Sequence, residues 1–430
     1  MAREMKKSGV DWIGDIPAEW KIGRTKNCYT NRKQIAGDEA DNYERLALTL
    51  NGVIKRSKED ATGLQPEAFN GYQVLKQNQL VFKLIDLENV ATSRVGYSPY
   101  TGIVSPAYIV LNPNKENESR YGEYFFLSMW QREVFNHMGD DGVRSSLNSS
   151  DLLNIPYLII PDEEKNAIVG ILDQICANIN TVVEKTKATI EEYKKLKQSV
   201  ITEAVTKGIR GDRAMKDSGI EWIVDIPADW EITRVKNVAT KLQKGNGITK
   251  EDVVVNGDTP CVRYGEIYTK YNQSFAECVT RTNKDIIGTP KYFSYGDILF
   301  TCTGELVEEI GKSIVYLGSG ECLAGGDIII MNHKQNPAFL NYVLNSAYAQ
   351  AQKSCDKTKL KVVHISADDI CNVVIALPPI AEQETIADYL DRKCAEIDKL
   401  IADKTHLLEE MEIYKKSVIF EYVTGKKEVL

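Results

Sequence analysis

The run Gly304-Glu305-Leu306-Val307-Glu308-Glu309-Ile310-Gly311-Lys312-Ser313 is the stretch of this chain nearest to a phosphate-cradling loop. It ends in the right Gly-Lys-Ser, but six residues separate its glycines where nucleotide binding needs four, and its three glutamates would repel phosphate. A strand-loop-strand accounts for it better. Neither a glycine-rich adenosylmethionine motif nor the N/D-P-P-Y/F tetrapeptide of amino-methyltransferases occurs elsewhere. The paired acids Asp140-Asp141 and Asp368-Asp369 fall where loops and helix caps are expected, not in the clustered pattern of a nuclease metal core. Cys302, Cys322, His333, Cys355, His364 and Cys371 lack the spacing of metal ligands. The nine cysteines are odd in number and contain no C-x-x-C pair, which argues for reduced thiols over a disulfide frame or zinc ribbon. The residue types that do chemistry are thus present without the spacings that make a catalytic site.

The elements that carry these residues are duplicated. Ser8 to Trp20 reads SGVDWIGDIPAEW and Ser218 to Trp230 reads SGIEWIVDIPADW. Further on, Pro161 to Lys207 aligns without a gap to Pro379 to Gly425, placing Asp173 with Asp391, Cys176 with Cys394 and Ser199-Val200-Ile201 with Ser417-Val418-Ile419. The order is an opening block, a variable region and a helical block, then all three again. Such a duplication gives one polypeptide the approximate two-fold repeat that most proteins obtain by dimerising.

Both helical blocks carry an apolar seam stepping alternately by four and three residues, the mark of a heptad. The first runs Ile168, Leu172, Ile175, Ile179, Val182, Thr186, Thr189, Tyr193, Leu196, Val200, and the second Ile386, Leu390, Lys393, Ile397, Leu400, Lys404, Leu407, Met411, Tyr414, Val418. Prolines stand just ahead of each and Gly208 and Gly425 close them, so two helices of roughly 40 residues, about 60 Å each, are expected. One amphipathic rod cannot bury its stripe alone. Packing the two on each other, antiparallel, is the economical solution, with Val183, Ile190, Ile401 and Leu408 widening the stripe. Thr186 and Lys404 fall at equivalent seam positions, where a polar residue can fix register.

A chain of 430 residues exceeds one ordinary core, and its 43% apolar and 27% charged content is that of a globular protein. No apolar stretch approaching a membrane span and no signal-like start is read from the sequence, so a cytoplasmic location is expected. Residues 1–160 carry 19 Lys and Arg against 20 Asp and Glu, and residues 211–377 carry 18 against 21. Neither region is broadly basic, so any attraction for phosphate must come from local patches or from basic partners.

The regions between the repeated blocks read as mixed α/β. Strands are expected at Gln79–Leu84, Ile103–Leu111, Asp297–Cys302 and Asp327–Met331, and helices at Tyr121–Met138 and Pro337–Gln352. A repeated frame holding two divergent inserts points to two homologous domains that recognise different things.

With the paired W-I-x-D-I-P-x-x-W openings, GIVSPAYIVL at Gly102–Leu111, YGDILF at Tyr295–Phe300 and LPPIAEQETIADYLD at Leu377–Asp391, the chain resembles the specificity subunits of type I restriction-modification systems over essentially its whole length. The first helix departs from the family pattern, because Lys165 stands where the second has Gln383. The resemblance implies an α/β fold of mixed α+β character: target recognition domains at 1–160 and 211–377, and conserved long helices at 161–210 and 378–430 packed as an antiparallel coiled coil. It implies that each domain reads one half of a bipartite, asymmetric DNA target while the coiled coil sets the unread spacer and docks partners. Those partners would be two modification subunits holding adenosylmethionine and two restriction subunits using ATP and Mg. This chain would hold no cofactor, no metal and no catalytic residue.

Base reading then calls for Arg, Lys, Asn, Gln and Ser or Thr presented from loops or a helix edge. Two segments occupy matching positions ahead of the long helices, with Arg144, Ser145 and Ser146 in the first domain and Lys357, Lys359 and Lys361 in the second. Further candidates are Lys55, Arg56, Arg94, Lys244, Asn246, Arg263, Tyr264 and Lys312. Two other readings compete: a coiled-coil adaptor whose lobes bind proteins, which would show no salt-sensitive DNA binding, and a fused methyltransferase, against which the missing cofactor motifs argue.

Overall fold

The computed structural model describes the chain except for residues 1–2, 61–66, 86, 88–92, 139–145, 287, 356, 358–361 and 430. By internal contacts it divides into a first unit, Met1–Thr186 with His406–Leu430, and a second, Lys187–Thr405. Both boundaries fall inside long helices, so each unit owns part of both.

In the first unit, one four-stranded sheet orders Gly52–Arg56, Arg45–Thr49, Gly102–Val104 and Gln73–Leu75, and another orders Tyr29–Thr30, Ile109–Pro113, Leu80–Phe82 and Val95–Tyr97. The stretch Ile103–Leu111, read as one strand, is two. Pro106 cannot donate to a ladder, and the Tyr108 N–H closes a turn onto the Ser105 carbonyl at 3.1 Å, sending the two halves to different sheets. Helix Glu118–Gln131 packs Phe125 and Phe126 against Phe82, Tyr29 and Tyr157. It stops short of Met138, because Glu133 adopts a left-handed φ of 59° ahead of a 3-10 turn.

The second unit has a five-stranded sheet of Ala239–Lys244, Ile328–His333, Ile298–Thr301, Ser313–Tyr316 and Ser274–Phe275, and a four-stranded sheet of Thr280–Thr282, Thr259–Val262, Cys322–Ala324 and Tyr292–Phe293. The helix expected over Pro337–Gln352 is two, Pro337–Leu344 and Ala347–Ser354, divided at Asn345 and Ser346. Asn345 turns its amide onto the Ser313 backbone.

The long helices span Asp162–Lys207 and Ile380–Val423. Asp162, Glu163 and Glu164 line the first turn of the former, where carboxylates complement the helix dipole. Gly208 and Gly425, at φ 74° and 69°, end the pair in the left-handed conformation that closes helices.

Their buried stripe differs from the expected seam in every second step. In the first helix it runs Leu172, Cys176, Ile179, Val183, Thr186 and Ile190 and resumes at Ile201, Ala204 and Val205, while Val182 and Leu196 face solvent. In the second it runs Ile386, Leu390, Cys394 and Ile397, then through half-buried Ile401, Lys404, Leu408, Met411 and Lys415 to Val418 and Tyr422, with Leu400 and Tyr414 exposed. Both phasings share one residue per heptad and differ in whether the next knob lies three or four residues on. Apolar residues at both places made the choice invisible to periodicity. Ile175 and Leu407 are half-buried at the stripe's edge.

Within each unit the two helices run antiparallel. In the second, Lys197 Nζ binds Asp398 at 2.7 Å, while further along the first helix Gly208 approaches Glu382, earlier on the second. In the first, Lys415 donates to Asn180 at 2.8 Å, while Glu164 and Gly425 both meet Trp20. The two lysines are equivalent residues of the repeat, as are Asn180 and Asp398.

One 18-residue window of the first long helix reaches a mean hydropathy of 1.2. By composition that helix is long and apolar enough to cross a membrane, contrary to the expectation above. Its apolar residues nevertheless fall on a stripe interrupted by Asp173, Gln174, Asn178 and Asn180, the spacing of a packed helix.

Candidate nucleic-acid interface

The opening blocks fold back onto the long helices through the same contacts in both units. Trp20 is fully buried and its Nε1 donates to Glu164 at 2.8 Å; Trp230, equally buried, donates to Glu382 at 3.0 Å. Arg3 pairs with Glu164 and Glu19 and lies over Trp20, just as Arg213 pairs with Glu382 and Asp229 and lies over Trp230. Tyr124 donates to Asp173 at 2.6 Å and Tyr342 to Asp391 at 2.8 Å. These anchors leave the inserted sheets as the variable part of each unit.

The structure gathers one group of the sequence candidates in the second unit. A Cβ on Gly245 would lie 2.2 Å from the Gly325 carbonyl oxygen, and one on Gly325 would lie 3.3 Å from Arg263 Cα, so glycines let three segments touch. Lys244, Asn246, Arg263 and Tyr264 thereby cluster around the turn Gly325–Asp327. Of these, Arg263 and Tyr264 border a cleft of about 860 Å³ whose walls also include Lys250, Lys270, Thr280 and Asp327. Lys244 is exposed, 3.9 Å from Asp327. Arg263 directs Nε and Nη2 to Glu266 at 3.1 and 2.8 Å, which holds its guanidinium at the cleft wall with other N–H donors in hand. Asn246 is structural: it donates to the Thr289 carbonyl and accepts from the Lys291 N–H. Lys250 and Lys270 were missed, since isolated lysines in polar loops leave no periodic or positional signal.

Other candidates scatter. Lys55 and Arg56 lie on the hairpin Arg45–Thr49/Gly52–Arg56, with Lys55 half-exposed over the Tyr100 ring and Arg56 bound to Asp60 at 2.7 Å. Ser146 is exposed just ahead of the Asn148 cap. Arg144, Ser145, Lys359 and Lys361 lie outside the described residues. Lys357 donates to Asp369 at 2.9 Å, and Asp369 itself closes a capping box with Ser366.

Two candidates are corrected. Arg94, just ahead of strand Val95–Tyr97, has no exposed surface and so cannot meet a ligand from there. Lys312 turns inward and donates to the Ile267 carbonyl at 2.8 Å, and burial holds its ammonium below the usual lysine range. The glycine-flanked loop before it contains a 3-10 turn at Val307–Glu309. A lysine tied to a backbone carbonyl is not presented to phosphate. Among the described residues no three His, Cys, Asp or Glu are placed to share a metal ion.

A repeated frame thus carries unlike sheets, with basic and aromatic side chains at a cleft in the second unit. Comparison with known proteins gives the class. Residues 227–410 match the family described as type I restriction modification DNA specificity domain. The chain is 25% identical over 341 residues to the type I restriction enzyme MjaVIII specificity subunit of Methanocaldococcus jannaschii, covering 76% of this chain and 74% of that one. Its fold superposes with a TM-score of 0.71, at 16% identity, on a chain from a structure of type I R-M complex assembly and conformational transition, covering 96% and 99% of the two. The HsdS subunit of Thermoanaerobacter tengcongensis aligns at a TM-score of 0.49 and 15% identity, covering 96% and 98%. Residues 227–410 thus match a type I restriction modification DNA specificity domain, and the chain as a whole is similar to specificity subunits of type I restriction-modification systems.

Proposed function

We propose that the two recognition domains, residues 1–160 and 211–377, each read one half of a bipartite, asymmetric target in the DNA major groove. The helices at 161–210 and 378–430 set the unread spacer between the halves. The observation that carries this reading is the recurrence of the Trp20–Glu164 and Trp230–Glu382 anchors under sheets of different size and order. A common frame with unlike readers is what an asymmetric target requires, and the spacing of readers on a rigid rod must match the pitch of the duplex. In the second domain Lys244, Arg263 and Tyr264 supply the contacts; in the first, Lys55, Arg56 and the segment ending at Ser146 do so.

In this proposal the helices also dock two modification subunits, which hold adenosylmethionine, and two restriction subunits, which use ATP and Mg, in the cytoplasm. The near-balanced charge of both domains supports a division of labour. The chain alone neutralises few phosphates, so it binds DNA modestly, and partners that embrace the duplex tighten the complex.

Mapping methylated adenines across the host genome with and without this gene tests the reading. A gene-dependent motif of two unlike halves at one spacing is expected, and removal of one heptad from both helices changes the spacing while leaving the halves. A contiguous motif, or methylation independent of the gene, refutes it.

A further inference from the structure

Arg263 stands where strand Thr259–Val262 ends and helix Tyr264–Thr269 begins, and its side chain keeps 28% of its exposure at the cleft wall. Its partner Glu266 is buried, with 7% of its side chain exposed. That carboxylate is fixed from behind: Oε2 accepts the Arg263 backbone N–H at 3.0 Å and lies 2.9 Å from the Thr280 hydroxyl. Oε1 is left for the guanidinium and takes Nε at 3.1 Å and Nη2 at 2.8 Å. Both of these bonds lie on one side of a planar group. Nη1 and the second hydrogen of Nη2 therefore form a pair of parallel N–H donors directed away from Glu266. Gly265, Gly325 and Gly326 line the same cleft, so three positions of its wall carry no side chain to hold a flat edge away.

We propose that Arg263 reads a guanine in the half-site of the second domain, donating to its O6 and N7, and that Glu266 is the positioning residue that aims it. The inference rests on the bipartite reading above and names the base this arginine selects. Guanine alone offers two adjacent acceptors in the major groove; adenine sets a donor beside its acceptor, thymine a methyl group, and cytosine presents a donor. Two parallel N–H groups match the first and collide with the rest.

The same carboxylate argues against a phosphate contact. Its charge offsets that of Arg263 at hydrogen-bond distance, so the pair attracts a phosphate weakly, whereas an uncharged base edge meets only the outward donors. Holding the guanidinium in advance also matters for discrimination. A free arginine loses side-chain freedom when it binds, while one already fixed has lost it on folding.

Mapping methylated adenines in hosts carrying the wild type or Arg263→Ala tests the proposal. One G·C pair, in one half of the motif, is expected to become degenerate in the variant while the other half and the spacing stay as they were. Glu266→Gln, whose single oxygen cannot serve both the backbone N–H and the guanidinium, is expected to relax the same pair and no other. With purified complexes of the full-length chain and its modification subunits, exchanging that G·C pair for A·T should weaken wild-type binding by about 5- to 150-fold and leave Arg263→Ala unaffected. If Arg263→Ala abolishes methylation altogether, 7-deazaguanine at each guanine of the motif, which removes N7, decides with the wild-type complex. A loss at no position overturns the proposal. So does an Arg263→Ala motif that is unaltered while methylation falls equally at every site, which gives Arg263 a phosphate-binding or structural role. A contiguous or gene-independent motif instead refutes the bipartite reading beneath it.

Discussion

Lys165 Nζ lies 2.6 Å from Glu118 Oε2, and the two side chains retain 5% and 3% of their exposure. Tyr157 donates to the other carboxylate oxygen at 2.8 Å, so the pair is held inside a tyrosine-lined pocket. The equivalent residues of the second repeat are Asn336 and Gln383, which meet without charge: the Asn336 N–H donates to Gln383 Oε1 at 3.0 Å. At this place the first unit therefore buries an ion pair where the second has hydrogen bonds from the Asn336 backbone N–H and to Gln335. Lys165→Gln alone leaves a buried carboxylate unpaired and is expected to destabilise the first unit by about 3–5 kcal/mol. Adding Glu118→Gln, which removes the unpaired buried charge, should recover most of that loss in denaturant unfolding. A double variant as unstable as the single one would show that the loss does not come from the unpaired carboxylate.

Val224 holds a φ of 59°, and its counterpart in the first repeat is Gly14 at 74°. A β-branched residue is strained there, and Val224 is exposed, so its side chain contributes little burial in return. Val224→Gly should release about 1–3 kcal/mol of strain against ~0.5–1 kcal/mol of added chain entropy, a net gain of about 1 kcal/mol. The midpoint of chemical unfolding reads this directly, and an unchanged or lowered midpoint counts against it.

The phase of the coiled-coil stripe is open to the same measurement. Ile190 is 9% exposed and Leu196 49%. Ile190→Ala is expected to lose about 2–4 kcal/mol, while Leu196→Ala should stay within roughly 0.5 kcal/mol. The reverse order would restore the seam read from periodicity.

Lys353 is buried on helix Ala347–Ser354, where its ammonium donates to the Gly311 carbonyl at 2.7 Å and desolvation lowers its pKa to about 7. In the unfolded chain the same group titrates near 10.4. Between those values the unfolded state binds the extra proton, so stability rises with pH by up to about 1.4 kcal/mol per unit and is lost as pH falls toward 7. Lys353→Met should flatten this slope between roughly pH 7 and 10. Stability curves of equal slope for both proteins would exclude Lys353 as the titrating group.

Much of the architecture was legible beforehand because it is written twice. The Trp20 and Trp230 openings and the aligned blocks from Pro161 and Pro379 announce a repeat, and the tryptophan anchor of one unit recurs in the other. The reading surface was far less legible. Arg94 and Lys312 have the residue type and the loop setting of ligand contacts, yet one is enclosed and the other is bonded to backbone. Lys250 and Lys270 line the cleft without any local signal.

By itself the amino-acid order determined the duplication, the two long amphipathic helices and their ends, because periodicity, proline and glycine act over a few neighbouring residues. Only the tertiary structure decided which of two adjacent apolar rows turns inward, which cations remain at the surface, and that Gly245, Gly325 and Arg263 meet around one cleft. Those outcomes depend on close packing between segments far apart in the chain, where a single methyl group or carbonyl oxygen excludes the alternatives.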